Sequence, residues 1–120
     1  MNNNEVPEFV LNVVFFKNES GAEPVKDWLR SLEKEDKRAI GEDIKTVQYG
    51  WPIGMPVVRK MEKDIWEVQT HLPGGIARVL FTVLGESMIL LHGFIKKSQK
   101  TPLEILECAR KRKNMLKGKA

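Results

Sequence analysis

Cysteine is almost missing from this sequence. The single Cys108 can neither close an internal disulfide nor supply a cysteine-based zinc site. Alone, it reads as a small apolar residue on a helix. Histidine is nearly as scarce. His71 and His92 stand 21 residues apart with no thiol or carboxylate cluster beside them, so no metal-ligand spacing is present. No apolar run approaches the ~20 residues of a membrane span. The opening Met1-Asn2-Asn3-Asn4-Glu5 lacks the basic and apolar regions of a signal peptide. The expectation is a cytoplasmic protein with no membrane association. Walker and Rossmann glycine fingerprints are also missing, and neither Cys108 nor any serine sits in a nucleophile motif. Most familiar enzyme classes are thereby left without support, and no cofactor is implied.

What is present is one domain's worth of chain, 120 residues, enough to bury roughly two thirds of its unfolded surface around one core. The net charge is +4, unevenly spread: residues 1–56 carry 7 Lys/Arg against 10 Asp/Glu, residues 57–95 carry 4 of each, and residues 96–120 carry 9 against 2. The positive excess lies in the last fifth of the chain. Such a block is expected either to contact an anionic polymer, most commonly nucleic acid, or to act as a solvated basic tail. The stretch at about 113–120 is expected to be such a tail, and flexible.

Hydrophobic periodicity sets the element order. Leu11-Asn12-Val13-Val14-Phe15-Phe16 reads as a strand, ended by Asn18-Glu19-Ser20-Gly21. Pro24 opens a helix whose apolar stripe is Val25, Trp28, Leu29 and Leu32. A second helix is expected at about 35–49, with Ile40, Ile44 and Val47 facing inward and Gly50 as its stop. Two prolines and a glycine make residues 51–56 a loop. Strands are expected at 57–61, 65–70, 76–84 and 88–96. Their short connections force antiparallel pairing, and the last two are apolar on both faces, which places them centrally. Thr101 as N-cap, Pro102 as first helical residue and Glu104 as the capping-box partner announce a final helix with Leu103, Leu106 and Ala109 inward. The fold class is α+β: strand, two helices, an antiparallel sheet of four further strands, C-terminal helix.

Cations concentrate at strand ends. Alternation places Arg78, Leu80, Thr82 and Leu84 on one face. Arg78 therefore enters an apolar central strand and must either pair with a carboxylate, Glu67 of the preceding strand, or face a polar cleft suited to phosphate. Lys96, Lys97 and Lys100 cluster between a buried strand and a helix N-terminus, which itself favours anions. His92, on the same side of its strand as Lys96, reads as a packed core histidine or as an acid–base group. Trp51 and Trp66 read as packing residues or as base-stacking platforms.

The strand Trp66-Glu67-Val68, the segment Gly75-Ile76-Ala77-Arg78-Val79-Leu80-Phe81 and above all His92-Gly93-Phe94-Ile95-Lys96-Lys97-Ser98-Gln99-Lys100-Thr101-Pro102 resemble the HigB-type, phage-derived branch of the RelE/ParE toxin superfamily, over about residues 9–112. Gln69 departs from the pattern, where many relatives carry arginine. The resemblance implies the toxin of a type II toxin–antitoxin system, a metal-independent and ribosome-dependent mRNA endoribonuclease. In that chemistry the ribose 2′-hydroxyl attacks the adjacent phosphorus, leaving a 2′,3′-cyclic phosphate and a 5′-hydroxyl. Carried over, Arg78 would stabilise transition-state charge, and Lys96, Lys97 and Lys100 would share the base, acid and phosphate-holding roles. Glu67 would orient Arg78 or act as base. Arg59, Lys60, Arg110 and Lys111 would hold RNA. The implied partners are the ribosome, mRNA and a HigA-like helix-turn-helix antitoxin. Alternatives on the same fold are a non-catalytic translation blocker and a ParE-like inhibitor of DNA gyrase.

Overall fold

A computed structural model describes residues 10–97 and 100–117 of the chain. Ser98 and Gln99, the amino-terminal nine residues and the last three lie outside the described residues. Strand β1 (Asn12–Phe15) leads to helices α1 (Pro24–Arg30) and α2 (Lys34–Gly50). Strands β2 (Val58–Glu62), β3 (Ile65–Leu72), β4 (Gly75–Leu84) and β5 (Ser87–Lys96) follow, then helix α3 (Leu103–Lys117). The sheet order is β1-β5-β4-β3-β2. The four later strands form an antiparallel meander, as their short joints require. β1 adds in parallel to β5, with Val14 opposite Ile89, so the sheet is mixed. Parallel pairing needs a long crossover, here everything from α1 to β4. β4 and β5 are central, in keeping with their two apolar faces.

The sheet separates two cores. On one side Val25, Ile40, Ile44 and Val47 of the first two helices pack on Val58, Val68, Val79, Phe81, Met88 and Leu90. On the other, Ala109 lies against Ile65, Leu80, Ile89 and Leu91, with Ile105, Leu106, Met115 and Leu116 of α3 joining partly buried. The helices predicted from residues 24–32 and 35–49 thus cover one face, and the C-terminal helix covers the other. Gly93 lets α1 sit close: a Cβ there would fall 2.4 Å from the Trp28 ring. Among the described residues no helix is long and apolar enough to cross a membrane.

Two bulges decide which side chains α3 meets. Leu80 pairs with His92 while Phe81 pairs with Leu90, so Leu91 is an extra residue in β5 and inverts the alternation. Before it, Met88 and Leu90 face α1 and α2; after it, Phe94 faces α3, and Lys96, two residues on, faces it too. Alternation from Arg59 places Met61 in the α3 core, and a second irregularity between Lys60 and Glu62 turns Glu62 to the same side, toward the helix.

The final helix differs from expectation in three ways. It starts at Leu103, not Pro102; the Pro102 carbonyl accepts from the amides of Ile105 and Leu106. The Thr101 hydroxyl, expected to serve in a capping box, donates to Glu67 of the sheet. Leu103, assigned inward, is 66% exposed, since the first turn overhangs the sheet and lies over a groove instead of the core. The supposed tail from residue 113 is helical as far as Lys117, with Lys113 buried, because Met115 and Leu116 still have sheet beneath them.

Candidate nucleic-acid interface

The overhanging first turn of α3 and the ends of β2 and β5 enclose an open groove of about 540 Å³, lined by Arg59, Met61, Lys96, Lys100, Thr101, Pro102, Leu103 and Leu106. Three cations stand around an apolar floor, and none of the eight lining residues is acidic. The amino-terminal end of a 15-residue helix adds its positive dipole end. A second depression of about 340 Å³, between α2 and β3, contains Glu42 and Asp43 and is unsuited to a polyanion. Among the described residues, no group of three or more His, Cys, Asp or Glu side chains is placed to hold a metal ion.

Beneath the groove lies a buried polar network. Glu67 and Arg78 are both 0% exposed. Arg78 Nη1 donates to Glu67 Oε1 at 2.9 Å. Gln69 Nε2 donates to the same oxygen at 2.9 Å, and the Thr101 hydroxyl donates to Oε2. Register explains the assembly. Gln69 is directly opposite Arg78 and Glu67 is opposite Leu80, so Glu67 reaches Arg78 along the diagonal. Across the other ladder Glu67 is opposite Arg59, which brings the carboxylate under the groove's wall. Of the two readings of Arg78, the cross-strand pair is the one present. The guanidinium supports the groove from below and does not line it.

The structure divides the other predicted residues. Lys96, Lys100 and Arg59 come together in the groove. Lys97 is exposed next to Lys96 but outside that lining. Lys60 is opposite Trp66, whose ring packs with the α1–α2 core, so alternation turns it away from Arg59. Arg110 forms a two-pronged bridge to Glu62, 2.9 Å from Nε to Oε2 and 2.7 Å from Nη2 to Oε1. This hydrogen bond and the charge of Arg110 hold the Glu62 carboxyl below its ordinary range. Lys111 is exposed on α3, outside the groove lining.

Much of the carboxy-terminal positive block therefore docks the helix. Arg112 Nη1 donates to the Leu91 carbonyl at 2.6 Å and sits 3.3 Å from His92 Nδ1, while its guanidinium covers the Phe16 ring at 5.5 Å. Arginine only donates, so Nδ1 accepts and the imidazole proton belongs on Nε2. Burial, helped by the Arg112 charge, pushes the His92 pKa down. His92 is thus a neutral packing residue under α3, with Cys108 Sγ 3.8 Å from Nδ1. Trp51 and Trp66 meet edge to face at 4.9 Å, and Trp66 stacks on Phe81. They pack with the α1–α2 core, across the sheet from the groove, so the packing reading holds.

Three contributors escaped sequence reasoning. The apolar floor was hidden because Leu103 and Leu106 read as inward-facing core and Met61 only as the end of a strand. Thr101 read as a helix cap. Arg112 was one cation in a run of four. The sign available in the sequence was the hairpin register that sets Arg59 opposite Glu67.

A small α+β protein with helices on both faces of its sheet, and a cationic groove where the last helix begins, is the class that fold and site define. The chain belongs to the family described as Phage derived protein Gp49-like (DUF891), whose model matches residues 27–114. That span holds every groove residue named above. Comparison with curated proteins finds no match.

Proposed function

We propose that this Gp49-like protein is a RelE-type toxin that cleaves mRNA on the ribosome, with the groove before α3 as its RNA site. The observation that carries the reading is the grouping of Arg59, Lys96 and Lys100 around an apolar floor, with no acidic residue among the described lining residues. A polyanion with flat apolar bases suits such a surface: phosphates meet the cations and a base covers Met61 and Leu103.

In the reaction proposed, a lysine of the groove or beside it, Lys96, Lys97 or Lys100, takes the 2′-hydroxyl proton. The 2′-oxygen bonds to phosphorus as the bond to the 5′-oxygen breaks, and a second lysine returns a proton to that leaving oxygen. Arg59 and the remaining cation stabilise the charge that accumulates on the phosphoryl oxygens. Buried Glu67 and Arg78 act beneath them as support. The same cationic surface is one that an acidic segment of a neighbouring antitoxin, HigA-like in the family resemblance, would cover.

The test is induced expression of wild type, Lys96→Ala and Lys100→Ala, with mapping of 5′ ends of cellular transcripts. Both lysines are exposed, so the variants leave the core intact. Growth arrest with new 5′-hydroxyl ends inside translated messages, lost in both variants, is the expected result. Growth arrest with intact messages overturns the nuclease reading. Gyrase topology and ribosome-occupancy assays then separate the two non-nucleolytic alternatives.

A further inference from the structure

Between the end of β5 at Lys96 and the start of α3 at Leu103 lie Lys100 and Thr101, both in the groove lining. The Thr101 hydroxyl, beyond any role at the helix terminus, ties this segment to the sheet. It donates to Oε2 of Glu67, 34 residues away in sequence. The other oxygen of that carboxylate takes one hydrogen bond from Arg78 of β4 and one from Gln69 of β3. A carboxylate held by three donors from three segments has little freedom to follow a moving partner. Pro102 also restricts the Thr101 backbone to extended conformations, and β-branching restricts its side chain. The hydroxyl is therefore a fixed point between a rigid sheet and the segment that carries Lys100.

We infer that Thr101 is a positioning residue: its bond to Glu67 sets the separation of Lys100, just before it, from Lys96 and Arg59 across the groove. The bond itself stands independently of the nuclease reading; its catalytic consequence rests on that reading. Long-range attraction for RNA depends on the charges, which Thr101 does not alter. Stabilisation of a transition state depends on where the charges stand, and displacements of about 1 Å are costly.

The experiment compares wild type, Thr101→Val and Thr101→Ser in two measurements: cleavage of message on programmed ribosomes, and amide hydrogen exchange at Lys100 and Leu103–Leu106, with β4 amides as the control for intact folding. Valine keeps the shape and removes the donor; serine restores it. The expected result for Thr101→Val is a fall in kcat of about tenfold with KM nearly unchanged, and faster exchange confined to residues 100–106, both recovered in Thr101→Ser. Unchanged exchange in Thr101→Val overturns the latch. Faster exchange with unchanged cleavage overturns the positioning role. If the wild type cleaves nothing, the nuclease reading fails, and exchange alone decides whether the latch exists.

Discussion

Arg78 and Glu67 form an ion pair with both side chains fully buried, Nη1 to Oε1 at 2.9 Å, joining β4 to β3 directly under the groove. Removing one partner leaves the other as a buried charge without its counter-ion. Arg78→Ala is expected to lower unfolding free energy by about 3–5 kcal/mol, read from chemical denaturation. The double variant Glu67→Leu with Arg78→Met is expected to recover a large share of that loss, since apolar replacement of a buried pair is often near neutral. Loss of activity in Arg78→Ala alone would therefore report folding as much as chemistry.

Gly93 is required by packing. A methyl at this position meets the Trp28 ring at 2.4 Å, and α1 would have to shift off β5. Gly93→Ala is expected to cost about 1–3 kcal/mol, seen as a lower thermal midpoint. Ala at Gly41, which has open space around it, is expected not to lower stability and serves as the control.

His92 makes stability sensitive to mild acid. Its folded pKa is pushed below the ordinary imidazole value of 6.5 by burial and Arg112. The unfolded chain then binds more protons in that range, so stability rises with pH there. The contribution is complete above about 6.5 and declines as pH falls through that value toward the lower folded pKa. His92→Gln is expected to flatten the stability profile from pH 7 downward, measured by denaturation at stepped pH. Glu62 acts at lower pH: with its folded pKa depressed by Arg110, its contribution is present above the unfolded carboxylate range and is lost as pH falls through the folded value. Arg110→Met is expected to remove that part of the acid limb.

The groove predicts unequal roles for surface cations. Lys96→Ala and Lys100→Ala are each expected to weaken RNA binding and to reduce the slope of log K against log salt by about one. Lys60→Ala, on the opposite face, is expected to change neither. Fluorescence anisotropy on a short RNA across a salt series measures all three.

The alternation of Ile40, Ile44 and Val47 along α2, the short joints of the meander and the two-faced apolarity of β4 and β5 are local patterns, and each maps directly onto an element. By itself, then, the sequence determined the element order, the helical and strand periods, the central place of β4 and β5, and the concentration of cations before and along the last helix. It also placed Glu67 and Arg78 where they could meet. The parallel addition of β1, the separation of α3 from the other helices and the membership of the groove were decided by tertiary structure. One extra residue, Leu91, reverses side-chain parity in β5 and turns Lys96 toward α3. The Lys60–Glu62 irregularity brings Met61 and Glu62 to the same side, and Arg110 and Arg112 are consumed in docking the helix. Charge along a chain is additive and can be counted, but the face a strand residue occupies changes with each single-residue shift in register. Pairing across the sheet alone sets that register, and with it which cations face the groove.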